Sequence, residues 1–131
     1  MNIPAEIFRA YDIRGIAGRT LTAASVREIG RALGSLAAES AGGGKAAFAV
    51  GRDGRLSGPE LCGALMDGLN AAGADVIELG IVPTPVTYFA AHHLGCGSAV
   101  MVTGSHNPGD YNGLKMVVAG DSLSGEEIQQ L

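Results

Sequence analysis

Apolar and polar positions along the chain follow two alternating periods. From residue 20 to residue 40, apolar side chains recur at helical spacing next to a possible N-cap at Thr22; the apolar positions are Leu21, Val26, Ile29, Leu33 and Leu36. Shorter apolar runs bounded by glycine predict strands, namely AAFAVG, ADVIELG, GSAVMVT and NGLKMVVAG. Two further helical segments, ELCGALMDGLNAAG and VPTPVTYFAAHHLG, lie between these runs. The chain is therefore predicted to alternate strands with helices.

This alternation is typical of an α/β fold. We predict a three-layer domain with a mixed, mostly parallel four-stranded sheet flanked by helices. The run NGLKMVVAG follows GSAVMVT too closely for a helical crossover, which needs about a dozen residues, so this strand should return antiparallel. The loops GRDGRLSG, GIVPTP and TGSHNP follow the other strands. We expect them to gather at the C-terminal edge of the sheet, where ligands bind in such folds.

Local signals predict where the helices begin and end. Ser57 and Glu60 form a capping-box pattern at the start of the second helix, and Gly73 should end that helix. Ser124 and Glu127 repeat the capping-box pattern near the end of the chain. A further helix is therefore expected after the last strand.

The composition is that of one acidic domain. A chain of 131 residues with 47% hydrophobic content suffices for a single core, so we expect residues 1–131 to form one domain. The formal net charge of −4 argues against binding to nucleic acid or to an anionic membrane surface. No apolar run approaches the ~20 residues that span a bilayer. Cys62 and Cys96 fit neither a CxxC pair nor a zinc spacing, and MNIPAEIF lacks signal-peptide features, which predicts a cytoplasmic protein.

Two features of the sequence are poor candidates for a site. A P-loop reading of GGGK would need glycine at position 39 and Ser or Thr after Lys45, but the chain has Glu39 and Ala46 there. His92 and His93 are adjacent on a predicted helix, so their side chains diverge and are poorly placed to share a metal ion. We interpret the first as a connector and the second as surface residues.

The loop TGSHNP holds the strongest candidate, Ser105. Its residue types alone favour a simple turn, because any tight loop uses them. Its position after a buried strand, at the C-terminal edge of the sheet, favours an anion-binding site. An esterase elbow is disfavoured, since Asn107 stands where G-x-S-x-G requires glycine and His106 is too near in sequence for a triad contact.

Sequence segments spread over most of the chain resemble the first domain of the α-D-phosphohexomutases. These segments are FRAYDIRG at Phe8–Gly15, VGRDGRLSGPEL at Val50–Leu61, GIVPTPVTYFA at Gly80–Ala90 and TGSHNPGDYNGLK at Thr103–Lys115. Their order and spacing also agree with the family. The form TGSHNP-x-DYNG-x-K is most similar to the bacterial phosphomannomutase/phosphoglucomutase branch, because phosphoglucosamine mutases usually carry alanine before the serine.

The resemblance implies phosphoryl transfer through a phosphoserine. In the family this serine donates its phosphoryl group to a hexose monophosphate and receives one back from the bisphosphate intermediate, and Ser105 matches it. Arg14, His106 and Lys115 match positions that stabilise the phosphate or move protons, and Tyr11 matches a residue that touches the sugar. The implied reaction interconverts hexose 1-phosphate and hexose 6-phosphate.

The resemblance covers one domain of such an enzyme. The family holds Mg²⁺ between the phosphoserine oxygen, here on Ser105, and an aspartate loop of a second domain that this sequence lacks. We therefore expect an N-terminal domain that is inactive by itself, binds Mg²⁺ weakly and works with other domains of the same polypeptide. Two alternatives stay open: a stand-alone, non-catalytic module that binds phosphosugars or a partner, and a domain of a phosphoglucosamine mutase. Arg52, Asp53 and Arg55 are interpreted as holding loops and the adjoining domain in place rather than as catalytic.

Overall fold

One mixed sheet with helices on both faces organises the protein. The computed structural model describes residues 3, 5–9, 12–40, 46–104, 107–118 and 121–122. After a 3₁₀ turn at Ala5–Ile7, the strands are β1 (Ile13–Ile16), β2 (Ala47–Arg52), β3 (Asp75–Ile81), β4 (Gly97–Val102), β5 (Tyr111–Val118) and β6 (Asp121–Ser122). The helices are α1 (Ala23–Ser40), α2 (Gly58–Ala71) and α3 (Thr84–His93). The predicted capping box at Ser124 and Glu127 lies outside the described residues.

The prediction of a four-stranded sheet is wrong. Five strands follow one another in the order β1-β5-β4-β2-β3, and the two-residue β6 pairs with β5. The unpredicted strand is β1, whose sequence IRGI is short and has no alternating pattern because arginine and glycine interrupt it. Its pairing partner is β5, which lies about a hundred residues further along the chain, so no local signal indicates it.

The direction of β5 makes the sheet mixed. β2 pairs in parallel with both β3 and β4, whereas β5 pairs antiparallel with β4 and with β1. The predicted antiparallel return after GSAVMVT is thus confirmed. Along this path two ladders are parallel and two are antiparallel, so parallel pairing is confined to the β3-β2-β4 half of the sheet.

The two faces of the sheet carry different cores. On one face α1 and α2 cover large apolar side chains that include Phe48, Val100 and Leu114. On the other face α3 packs over β2 and β4 through small residues, namely Ala49, Ala90, Ala91 and Ala99. The domain therefore has three layers, as predicted. Within the part of the chain that the structure describes, no helix is long and apolar enough to span a membrane.

One predicted helix cap is confirmed and the other is wrong. At the start of α1 the Ser25 backbone N–H donates to Thr22 Oγ1 at 3.1 Å, and the Thr22 N–H donates to Ser25 Oγ at 3.0 Å. At the start of α2 the Ser57 side chain makes no capping bond, because the Ser57 backbone is helical (φ −77°, ψ −11°) rather than extended; its hydroxyl instead accepts a hydrogen bond from Asn112 Nδ2 at 2.8 Å. Gly73 follows α2 with a positive φ of 89°, in agreement with the predicted end of that helix.

Glycines allow α1 and α2 to pack closely. A Cβ atom at Gly68 of α2 would collide with the backbone carbonyl of Arg27 in α1, and one at Gly30 of α1 would lie 2.6 Å from the Leu65 carbonyl oxygen. These neighbours are backbone atoms that cannot rotate away. By contrast, no heavy atom lies within 4 Å of a Cβ at Gly63, which is in the same helix as Gly68.

We expect Gly68→Ala to lower the free energy of unfolding by about 1–3 kcal/mol, because overpacking outweighs the gain in helix propensity. Gly63→Ala is the matched control and should raise the free energy of unfolding by up to about 1 kcal/mol. Urea denaturation of the 131-residue chain, followed by circular dichroism, measures both. Equal effects of the two substitutions would contradict the close helix contact.

Candidate functional site

The loops that follow β2, β3 and β4 meet at the C-terminal edge of these parallel strands. The Asp53 backbone N–H, just after β2, donates to the Val102 carbonyl oxygen at the end of β4 at 3.0 Å. The Val82 N–H, just after β3, donates to the Arg52 carbonyl oxygen at 3.0 Å. The expected gathering of the loops after β2, β3 and β4 is therefore confirmed for the described residues. It follows from the parallel pairing of these strands.

The structure brings two of the predicted site residues together. Arg14 lies on β1 and Lys115 on β5, and both approach the carboxylate of Asp12. Arg14 Nε is 4.0 Å from Asp12 Oδ1, and Lys115 Nζ is 3.6 Å from Asp12 Oδ2. Ser105, His106 and Tyr11 lie outside the described residues, so their roles stay predictions.

The register of β1 and β5 explains this cluster. Ile13 is paired with Leu114, and both side chains are fully buried in the core beneath α1 and α2. Because side chains alternate along a strand, their neighbours Asp12, Arg14 and Lys115 point to the other face. Accordingly the Lys115 side chain is 30% exposed, whereas its neighbours on the strand, Leu114 and Met116, are buried.

Asn107 connects this cluster to the loop after β4. Arg14 Nη1 donates to Asn107 Oδ1 at 3.3 Å. The Asn107 side chain in turn donates through Nδ2 to the Gly104 carbonyl oxygen at 2.9 Å, and its backbone N–H donates to the same oxygen at 3.0 Å. Arg14 is thereby joined to the two residues that flank the Ser105–His106 dipeptide in sequence.

Asp53 and Arg55 contact the same loop from the other side. Asp53 Oδ2 accepts hydrogen bonds from Thr103 Oγ1 at 2.7 Å and from the Gly104 N–H at 3.1 Å. Arg55 donates to the backbone carbonyl oxygens of Asn107 and Pro108. An open groove of about 570 Å³ lies beside these side chains and is also lined by the fully exposed Leu56.

Two residues of the charged cluster were missed by sequence reasoning. Asp12 lies inside the FRAYDIRG segment, but its contact with Lys115 depends on strand register. Tyr88 of α3 faces the cluster: burial, and secondly the negative charge of Asp12, raise the pKa of its phenol. The sequence at the start of α3, which is rich in proline, gives no sign that Tyr88 would lie within electrostatic reach of Asp12. Tyr88 therefore stays protonated and uncharged at neutral pH.

The described residues do not form a carboxylate site for a metal ion. Among the described ranges, no three His, Cys, Asp or Glu side chains are grouped so that they could hold an ion. Asp12 is engaged by two cations, and Asp53 accepts bonds from Thr103 and Gly104. Both of these carboxylates are thus engaged by other groups of the protein.

Comparison with known proteins identifies the family. A family described as phosphoglucomutase/phosphomannomutase, alpha/beta/alpha domain I, matches residues 5–131, so the chain belongs to this family.

The similar proteins are longer. The chain is 59% identical to a phosphomannomutase/phosphoglucomutase of Pseudomonas aeruginosa over 98% of its own length and 27% of that protein. It is 55% identical to a phosphoglucomutase of Neisseria gonorrhoeae over 99% of its length and 28% of that protein. A crystal structure of a phosphoglucomutase/phosphomannomutase family protein from Burkholderia thailandensis superposes with a TM-score of 0.88 at 56% identity, covering 98% of this chain and 29% of that one. The chain thus spans between a quarter and a third of the length of these relatives.

We expect Asp12→Asn to lower the pKa of Tyr88, because the substitution removes a negative charge that opposes formation of the phenolate. Burial is the larger cause and persists, so the pKa should stay above the ordinary value of about 10. NMR titration of ¹³C-labelled tyrosine measures it, with the resonance assigned by Tyr88→Phe.

Asp67→Asn, a substitution at an exposed position of α2, is the control and should leave the Tyr88 pKa unchanged.

The raised pKa of Tyr88 also makes stability depend on pH. It stabilises the fold below about pH 10, and this contribution is lost as the pH rises through the pKa of the folded state. The Asp12→Asn variant should therefore lose less stability than the parent chain over that alkaline range. An identical Tyr88 titration in Asp12→Asn and the parent chain would contradict the proximity of the two groups.

Proposed function

We propose that this chain is the phosphoserine-bearing domain of a longer phosphohexomutase that interconverts hexose 1-phosphates and hexose 6-phosphates. The observation that carries the proposal is the meeting of Arg14 and Lys115, from different strands, beside the loop that contains Ser105. The names of the similar proteins support the same reaction class. Their greater length supports a role for this chain within a larger polypeptide.

The proposed step transfers a phosphoryl group between two oxygens. The bond between phosphorus and Ser105 Oγ breaks while a sugar hydroxyl oxygen bonds to phosphorus, and the hydroxyl proton ends on the serine oxygen. The second half-reaction runs this step in reverse from the other end of the hexose bisphosphate. Since the serine oxygen is the leaving group, the step needs positive charge around the phosphate more than a base beside Ser105.

Arg14 and Lys115 are suited to this role by charge. They carry two positive charges against the single carboxylate of Asp12, so the cluster keeps a net positive charge. A phosphoserine brings about −1.5 to −2 charges at neutral pH, which such a cluster would stabilise. We propose His106 as a further cation or proton carrier, and Tyr11 as a contact to the sugar.

The remaining components of the proposal lie beyond this chain. We propose that carboxylates of another domain, with a phosphate oxygen on Ser105, hold Mg²⁺, because that ion is usually bound by carboxylates together with phosphate oxygens. Sugar selection belongs to the same missing part, and the relatives support mannose and glucose phosphates as substrates. We further propose a cytoplasmic location, since hexose phosphates are charged intracellular metabolites.

We expect the longer protein to carry one phosphate at Ser105 after incubation with glucose 1,6-bisphosphate, because the loop context fits a phosphoserine. Peptide mapping by mass spectrometry locates the phosphate. Ser105→Ala should abolish phosphorylation. Ser98→Ala, which replaces a buried serine of β4, is the control and should leave phosphorylation unchanged. Equal phosphorylation of the Ser105→Ala protein would overturn the assignment.

We expect the 131-residue chain alone to fold but to turn over hexose phosphates on the order of 10⁵-fold more slowly than the longer protein, or worse. The reason is that clamping both ends of the substrate supplies most of the positioning in phosphoryl transfer. A coupled assay compares the chain, its Ser105→Ala variant and the longer protein. Ser105-dependent turnover by the chain at the rate of the longer protein would mean that one domain suffices.

A further inference from the structure

The side chain of Arg55 binds the loop 104–111 across a sequence separation of more than fifty residues. Its Nη1 atom donates to the carbonyl oxygens of Pro108 at 2.5 Å and Tyr111 at 3.2 Å, and its Nη2 atom donates to that of Asn107 at 2.8 Å. We propose that Arg55, oriented by Asp53, is a positioning residue that holds this loop in the geometry that phosphoryl transfer at Ser105 requires. This inference rests on the proposed function.

Asp53 fixes the guanidinium group of Arg55. Asp53 Oδ2 lies 3.4 Å from Arg55 Nε, and Asp53 Oδ1 accepts the Arg55 backbone N–H at 3.2 Å. The same carboxylate binds Thr103 and Gly104, at the start of the loop. Asp53 and Arg55, which lie in the neighbouring loop after β2, therefore connect the beginning of the loop 104–111 to its end.

The contacts of Arg55 favour positioning over direct binding of phosphate. Nε and both terminal nitrogens are directed at the loop or at Asp53, and the side chain is only 15% exposed. The charge of Arg55 is also paired with that of Asp53, so it adds little net positive charge to the site. Arg14 and Lys115 supply the positive charge instead, from the other side of the loop.

The backbone bonds within the loop are local, and besides Arg55 its described residues are held by Asp53 at Gly104, by Arg14 at Asn107 and by the Ala17 N–H, which donates to the Asp110 carbonyl oxygen at 2.8 Å. Within the described part of the loop, the Asn107 N–H bonds to the Gly104 carbonyl and the Tyr111 N–H bonds to the Pro108 carbonyl, which only closes short turns. A planar guanidinium group can bind several carbonyl oxygens in fixed directions, whereas the ammonium of lysine has no such fork. Arg55→Lys should therefore not replace the contacts, although it keeps the charge.

The test uses the longer protein with Arg55→Lys and Arg55→Met, and Arg31→Lys as the control. Arg31 is an exposed α1 residue that pairs with Glu28 at the surface, remote from the loop. We expect both Arg55 variants to lower kcat by about 100-fold, the cost of a small misplacement near the reacting group, with KM changed less than about threefold. Arg31→Lys should match the parent protein in both constants.

Hydrogen exchange adds a readout that does not depend on turnover. In both Arg55 variants the amides of Asn107 and Tyr111 should exchange faster, while those of β2 and β4 stay as in the parent protein. Asp53→Asn should give the same pattern more weakly, since the amide oxygen still accepts bonds but the charge is lost. If Arg55→Met fails to fold, Arg55→Lys and Asp53→Asn carry the test.

The outcomes separate this inference from the proposed function. If the parent protein is not phosphorylated at Ser105, the proposed function is overturned. Faster amide exchange in the loop of Arg55→Lys would then still support the statement that Arg55 anchors the loop, but not its role in phosphoryl transfer. A phosphorylated parent protein with unchanged kcat in Arg55→Lys and Arg55→Met overturns the inference. A rise in KM with unchanged kcat also overturns it, because that result assigns Arg55 to substrate binding.

Discussion

The antiparallel pairing of β5 with strands on both sides is the constraint on which the rest of the site depends. The segment between β4 and β5 is too short for a helical crossover, so the chain must reverse and β5 must lie beside β4. The other edge of β5 then receives β1. Gly113 permits this approach, since a Cβ atom there would collide with the carbonyl oxygen of Ile13. The N-terminal segment and the loop after β4 are thus brought together by one strand.

This pairing gives the charged cluster its geometry rather than its stability. Asp12 is buried and Arg14 and Lys115 are partly buried, so the loss of hydration on folding offsets much of the attraction between their charges, and the net contribution of these pairs to stability is small. Two cations of like charge would otherwise avoid each other, and the carboxylate between them offsets part of that repulsion. The fold therefore keeps two cations beside one loop while the stabilising free energy comes from the apolar core on the opposite face.

The parts of the fold that sequence could predict are those determined by local pattern. The apolar runs GSAVMVT and NGLKMVVAG, the short spacing between them and the Thr22 cap are all visible within a few residues, and each agrees with the structure. The missed features are set by distant partners. Strand β1 forms because β5 offers it an edge to pair with, and the Ser57 hydroxyl bonds to Asn112, a residue 55 positions away, instead of capping its own helix. The electrostatic influence of Asp12 on Tyr88 likewise depends on α3 packing, not on sequence spacing.

The different coverage of the two sheet faces explains how one small domain can expose a charged site. Large side chains fill the space beneath α1 and α2, whereas alanines let α3 approach β2 and β4 closely. Because α3 packs mainly over these two strands, the described helices leave largely uncovered the part of that face formed by β5 and β1, where Lys115 and Arg14 lie. A face of this kind can hold cations beside the loop while the large apolar core lies on the opposite side of the sheet.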